Sequence, residues 1–277
     1  MSKWALVTGA SSGLGVEFAR QLACRGYNLV LAARREETLT QVANELLADP
    51  GNPGNLEIRV FPVDLQDASG VHRLYEFCKA KGIAISVLVN NAGFGDHGYF
   101  QSGDEKKFSD MIDLNCRSLT SLIHVFLPDL IEQGKATGDG APGISRILNV
   151  ASVAAFQPGP FMAVYYATKA FVLSLTEALW KEFRIAGFPV TATALCPGPV
   201  KTGFQQTAGL REGSFANNAR IPGPREVAAF GLKKTFKGRR VATHGLMFKI
   251  SRGLLRILPQ RAVLSTVARL QAARLNS

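Results

Sequence analysis

Six short apolar runs recur along the first 200 residues, each separated from the next by a stretch long enough to turn and return as a helix. Trp4–Thr8, Asn28–Ala33, Leu56–Val63, Ser86–Asn90, Ser145–Ala151 and Val190–Leu195 read as strands. Between them, Gly13–Arg25, Glu36–Ala48, Ala68–Ala80, Asp104–Ile131 and Met162–Ile185 carry helical patterns. The strand runs are continuously apolar instead of alternating, so both of their faces must be covered. That is the mark of a buried parallel sheet with helices on each side, an α/β fold. At 277 residues such a chain buries about three quarters of its unfolded surface and needs no covalent staple. The Gly/Pro-rich stretches Asp49–Asn55 and Gly134–Gly143 read as surface loops, too short to separate domains.

Charge is distributed unevenly. Residues 1–226 hold 21 basic and 21 acidic side chains, whereas 227–277 hold 11 Lys/Arg and no acid, so the whole net charge of +11 lies in the last segment. No apolar run reaches the roughly 20 residues of a bilayer crossing, and the first strand begins almost at the start, so the expectation is a cytoplasmic protein. Cys24, Cys78, Cys116 and Cys196 are widely spaced and read as buried free thiols. His72, His97, His124 and His244 have no helical partner acid, so no metal is expected. The absence of a G-x-S-x-G elbow argues against an α/β-hydrolase.

The first strand runs into Thr8-Gly9-Ala10-Ser11-Ser12-Gly13-Leu14-Gly15 and then a helix. Glycines there permit a tight turn and close approach of backbone to ligand, while the helix N-terminus offers N–H groups to a pyrophosphate. The spacing is G-x-x-x-G-x-G, not the commoner dinucleotide pattern. The second strand ends Leu31-Ala32-Ala33-Arg34-Arg35, where an NAD site would carry an acid for the ribose hydroxyl. Two guanidiniums in its place suit a 2′-phosphate, so NADP(H) is expected over NAD(H).

Tyr165 and Lys169 stand four apart on a helix and share a face. An ammonium beside a phenol lowers its pKa from about 10 toward working pH and makes it a usable acid or base. Tyr166 competes for that role, three residues before the lysine. Ser152 follows the fifth strand at its carboxyl end, where open α/β sheets place ligands, and can hydrogen-bond a substrate oxygen that gains charge.

With Asn90-Asn91-Ala92-Gly93, Asn115 and Pro197-Gly198-Pro199-Val200-Lys201-Thr202, these motifs resemble, in order and over about residues 3–203, the short-chain dehydrogenase/reductase family. The resemblance implies a Rossmann-type, doubly wound sheet of about seven parallel strands in one domain, the seventh near Arg239–Thr243. It selects Tyr165 as acid/base, assigns Ser152 to the substrate oxygen, Lys169 also to the nicotinamide ribose, and Asn115 to a proton-relaying water chain. It implies that Gly9, Ser11, Ser12, Gly13, Leu14 and Gly15 hold the pyrophosphate, that Asn91, Ala92 and Gly93 bed the adenosine ribose, and that Asp64 and Leu65 hold the adenine. Asp64 alone also reads as a helix cap. Pro197, Gly198, Val200 and Thr202 would touch the nicotinamide end. A homodimer or homotetramer on the helices near 104–131 and 162–185 is implied too. The Tyr–Lys spacing matches carbonyl reductases, not the related enoyl reductases.

The expected activity is therefore NADP(H)-dependent interconversion of a ketone or aldehyde and an alcohol. A 3-ketoacyl reductase acting on a carrier- or coenzyme-bound chain, and a non-catalytic nucleotide-binding or scaffold protein of the same fold, stay open. Phe94, Phe100, Phe156, Phe161 and Met162 flank the catalytic positions, and a polar stretch at 203–223 with Phe204, Leu210 and Phe215 resembles the family's substrate lid. Beyond residues 1–243, an extension over 244–277 is expected to pack on the same domain as two amphipathic helices, Leu246–Leu258 and Ala262–Leu275. Packing over the pocket or a subunit interface, peripheral contact with an anionic membrane, and docking of an acidic protein compete for them. Nucleic-acid binding is disfavoured, since no aromatics interleave with the charges.

Overall fold

The structure, a computed structural model, describes residues 3–135, 144–204, 208–209, 221–255 and 257–273. Seven strands form one parallel sheet in the order β3-β2-β1-β4-β5-β6-β7. They are β1 (Trp4–Thr8), β2 (Asn28–Ala33), β3 (Ile58–Pro62), β4 (Ile85–Asn90), β5 (Ser145–Val150), β6 (Val190–Cys196) and β7 (Val241–Thr243). The helices are α1 (Gly13–Ala23), α2 (Glu36–Leu47), α3 (Gly70–Ala80), α4 (Glu105–Ile112), α5 (Leu119–Lys135), α6 (Ala163–Ile185), α7 (Pro224–Phe236), α8 (Leu246–Leu254) and α9 (Gln260–Ala272). This is the doubly wound Rossmann-type arrangement, in a single domain.

Except at the edge strand β3, where Arg59 and Pro62 are exposed, both faces of the sheet are covered, which is why most strand residues are apolar. On one face Ala5, Val7, Leu29, Leu31, Val87, Val89, Leu148 and Leu195 pack against Phe18 and Leu22 of α1, Leu39 and Leu46 of α2, and Val227 and Leu232 of α7. On the other, Leu6, Val30, Leu88, Ile147, Ala192 and Ala194 meet Leu74 of α3, Leu122 and Phe126 of α5, and Val172 and Phe183 of α6. The two-residue alternation assigns neighbours in one strand to opposite cores.

Three sequence expectations are corrected. The helix expected over Asp104–Ile131 is interrupted by a wider π-helical turn, Asp113–Ser118, and continues to Lys135. A π turn rotates the side chains that follow it, and here it carries Asn115 inward, to 1% exposure, where an uninterrupted helix reads as surface. Gly134 belongs to α5, while 136–143 fall outside the described residues. Cys24 is exposed, because it follows the last buried residue of α1, Ala23, at the helix end.

Polar groups also tie the sheet to α6. Asn90 Nδ2 donates to Asn149 Oδ1 at 2.9 Å, Asn149 Nδ2 to Thr176 Oγ1 at 2.9 Å, and Thr176 to the Val172 carbonyl at 2.6 Å. All three side chains are buried. Asn149→Ala removes the acceptor of a buried amide donor, so unfolding free energy in urea is expected to fall by about 1–3 kcal/mol, with the denaturant slope unchanged.

Candidate active site

Strand order reverses between β1 and β4, and the loops beyond those strands part to leave a crevice along the carboxyl edge of the sheet. Its volume is about 1060 Å³. Of the residues singled out from sequence, Gly9, Ser11, Ser12, Gly13, Leu14, Arg34, Arg35, Asp64, Leu65, Asn91, Ala92, Gly93, Ser152, Tyr165, Lys169, Pro197, Gly198, Val200 and Thr202 all line it. Gly15 and Asn115 stand behind its wall.

At one end lies the glycine turn. Gly9 has φ +63°, a left-handed conformation, and a Cβ on it would sit 2.9 Å from the Ala92 Cα. Gly15 is tighter, since its Cβ would be 2.1 Å from the Gly9 carbonyl oxygen. The turn is clasped to the end of β4. Thr8 Oγ1 accepts the N–H groups of Asn91 at 3.0 Å and Ala92 at 3.1 Å, while Asn91 Nδ2 donates to the carbonyls of Thr8 at 3.0 Å and Gly9 at 3.2 Å. Asn91 therefore spends its side chain on bracing the turn. Arg34 and Arg35 are exposed on the crevice rim, and no acidic side chain among the described residues pairs with either. Asp64 Oδ1 accepts the Gln66 N–H at 2.9 Å and closes a local turn, six residues before α3 starts, so it is not a helix cap.

Toward the other end, Ser152, Tyr165 and Lys169 converge, each under 10% exposed. Ser152 Oγ accepts the Ala154 N–H at 3.1 Å and is hydrogen-bonded with Tyr165. Lys169 Nζ donates to the Val150 carbonyl at 2.8 Å and lies 5.8 Å from the centre of the Tyr165 ring. Asn115 fixes the surroundings. Its Nδ2 donates to Phe94 O at 2.9 Å and Thr168 Oγ1 at 3.0 Å, and its Oδ1 accepts the Phe94 N–H at 3.2 Å. Tyr166, the rival phenol, is held by Gln271 of α9, whose Nε2 donates to Tyr166 Oη at 2.8 Å.

The electrostatics reverse one expectation. Burial pushes Tyr165 up to about 12, against the downward pull of its Ser152 hydrogen bond and with a smaller upward push from Tyr166. Lys169 does not lower it, because burial pushes the ammonium itself down to about 8, with Cys116 and Cys196 acting weakly the other way. At neutral pH the phenol is protonated, a donor awaiting an acceptor.

The residues that match residues 3–213 are those of the family described as short chain dehydrogenase. The chain belongs to the short-chain dehydrogenase/reductase family. This family member is 36% identical over 205 residues to sulfoacetaldehyde reductase 2 of Chromohalobacter salexigens, covering 74% of this chain and 75% of that enzyme. Its fold is similar to that of a short-chain dehydrogenase from Sphingobium yanoikuyae in complex with NADPH, with TM-score 0.75, 27% identity, and coverage of 93% of this chain and 97% of that one. A short-chain dehydrogenase/reductase from Burkholderia phymatum in complex with NAD gives TM-score 0.77 and 27% identity, with 91% of this chain and 92% of that one covered.

Phe248 of α8 and Val267 and Leu270 of α9 line the crevice, on the helices for which packing over the pocket was one of the competing expectations. Gln157 and Gln271 line it too and escaped the sequence reading, because a lone glutamine carries no pattern. Among the apolar side chains expected at the pocket, Phe94, Met162 and Phe204 do line it. Phe100 and Phe161 instead line a small neighbouring hollow with Phe108 and Met111, and Phe156 packs on the sheet core beneath the Arg252 guanidinium, 5.2 Å from its ring centre. Leu210 and Phe215 lie outside the described residues.

Gly15→Ala tests the turn. In an exposed helix the change would stabilise by up to about 1 kcal/mol, but overlap with the Gly9 carbonyl sets the opposite sign here. A lower Tm on thermal melting is the expected outcome.

Proposed function

We propose that this chain is an NADP(H)-dependent carbonyl reductase that interconverts a ketone or aldehyde with an alcohol. The observation that carries this reading is the convergence of Ser152, Tyr165 and Lys169 in the same crevice as the glycine turn. The residues fit an extended dinucleotide. A backbone cradle without side chains receives the pyrophosphate, at the N-terminus of α1. Arg34 and Arg35 offer planar donors to a 2′-phosphate, where a carboxylate would repel it. Asp64, Leu65, Asn91, Ala92 and Gly93 border the adenosine half, and Pro197, Gly198, Val200 and Thr202 the nicotinamide half. Bound NADPH supplies the hydride.

The chain's own groups handle the oxygen and the proton. The Ser152 hydroxyl oxygen accepts the Ala154 N–H; its hydrogen, engaged with Tyr165, turns to the substrate oxygen as negative charge develops there. Tyr165, protonated at neutral pH, gives its proton to that oxygen. Lys169 uses one of its three donors on Val150 and keeps two for the nicotinamide ribose and the restoring proton path. Asn115 acts at one remove, by holding the 93–94 backbone and Thr168. The apolar walls, Phe94, Met162, Phe204, Phe248, Val267 and Leu270, favour a hydrophobic carbonyl over a small charged ketoacid.

Tyr165→Phe is expected to lower kcat for carbonyl reduction by about 10²–10⁴-fold while the Kd for NADPH stays within a factor of about three. Turnover near wild type would overturn the assignment. Because burial holds the Tyr165 proton on, alcohol oxidation by the wild type, which needs the phenolate, should rise with pH through the range 7–10. Reduction should stay flat to near pH 8. Initial rates in both directions across that range check the sign.

Cofactor choice has a separate test. Arg34→Ala with Arg35→Ala should weaken NADPH by at least about 100-fold and leave NADH nearly unchanged, as two charge-assisted contacts to phosphate disappear. Isothermal titration with both nucleotides reads it, and equal losses for the two would refute the phosphate role.

A further inference from the structure

The two C-terminal helices are amphipathic in opposite senses. In α9 the apolar side faces the body, with Val263 buried and Val267 half-buried against the crevice, Leu270 at the crevice rim and 59% exposed, and Arg261, Ser265 and Arg269 outside. In α8 the inward side is Phe248, Ser251, Arg252 and Leu255, and the outward side is apolar. Leu246, Met247, Ile250 and Leu254 are 73, 67, 56 and 47% exposed, and Ile257 and Leu258 continue the row at 78 and 48%. Spaced i, i+1, i+4 and i+8, the four helical residues occupy one stripe about 100° wide. Arg252, the basic residue that a soluble helix would turn outward, is instead tucked against Glu177 at 3.7 Å and the Phe156 ring.

We propose that this outward stripe of α8 docks the protein on an anionic lipid surface. Charge selects that occupant. Residues 227–277 carry 11 Lys/Arg and no acid, and among the described residues no acidic side chain pairs with Lys249, Arg261 or Arg269 of α8 and α9. A second copy seated stripe to stripe would bring this cationic segment against itself, and the rest of the chain, with 21 basic and 21 acidic residues, offers it no net attraction. An anionic bilayer answers both features, taking the apolar side chains into its headgroup boundary while its surface potential attracts the cations. No helix among the described residues is long and apolar enough to cross a membrane, so the contact lies in the interface plane. Phe248 on the opposite side of α8 covers Gly198, where a Cβ would be 2.3 Å from its ring, so a docked α8 sets the crevice wall on the order of 10 Å from lipid, one helix width. The docking is independent of what the crevice catalyses.

The test is co-sedimentation of the full chain with extruded vesicles of phosphatidylglycerol and phosphatidylcholine, or of phosphatidylcholine alone. Sedimentation with the anionic vesicles only, falling as salt is raised from 0.05 to about 0.5 M, is expected. Met247→Gln with Ile250→Gln, both on the exposed side and outside the crevice, should weaken partition by at least about tenfold with an unchanged circular dichroism spectrum and unchanged molar mass by light scattering. No partition of the wild type on anionic vesicles, or equal partition of the variant, overturns the proposal. A drop in molar mass of the variant also overturns it, because the stripe is then a contact between copies.

Discussion

Everything at the carboxyl edge depends on a clasp between two loops at the point where strand order reverses. Parallel strands all point the same way, so their following loops crowd one edge, and only the split between β1 and β4 leaves room for a ligand. That split would also let the two loops drift. Thr8 and Asn91 prevent it with four hydrogen bonds, two accepted by the Thr8 hydroxyl and two donated by the Asn91 amide, that fix the glycine turn to the end of β4. The close approach so enforced is what makes Gly9 and Gly15 obligatory, because any side chain there meets backbone. Glycine is thus demanded here by the protein's own packing, whatever the loop binds.

A second constraint is the burial of a phenol and an ammonium side by side. Two effects compete at Tyr165: removal from water raises its pKa, and the Ser152 hydrogen bond lowers it. Burial wins. The same burial disfavours the Lys169 charge, against a weaker upward push from Cys116 and Cys196. An ammonium weakened in this way, and set 5.8 Å from the ring centre, does not pull the phenol down. The pair favours a neutral phenol over a phenolate.

Most of the fold was legible because burial on both faces leaves a largely apolar signature in the central strands, and the glycine turn uses residue types that little else requires. Arg34 and Arg35 stood out because an acid was missing where one was expected, and the structure puts both on the crevice rim. What escaped detection depends on register or distance. The π turn at Asp113–Ser118 adds one residue to a helical turn without changing composition, so nothing in the local pattern shows that Asn115 is buried, and only the family resemblance singled it out. The side-chain duty of Asn91 toward the turn spans more than 80 residues of sequence and leaves no local trace. The lowered phenol pKa failed as an expectation because spacing along a helix gives direction but not dielectric.

The C-terminal helices show why composition alone does not orient a helix. α8 and α9 both carry apolar and basic residues, yet one turns its apolar side in and the other turns it out. The difference lies in what each meets. α9 reaches the crevice, where Gln271 donates to Tyr166 and its backbone carbonyl lies 3.3 Å from His97 Nε2, and these polar anchors leave Val263 and Val267 facing inward. α8 is anchored instead by Phe248 over Gly198 and by Arg252 on Glu177 and Phe156, which sets the opposite rotation. Turning α8 over would bury aliphatic side chains worth about 1.5–3 kcal/mol each, but it would withdraw Phe248 from the crevice wall and Arg252 from its carboxylate. The outward apolar stripe is therefore a consequence of how the tail completes the pocket, and the same rotation that closes the crevice creates the surface that faces out.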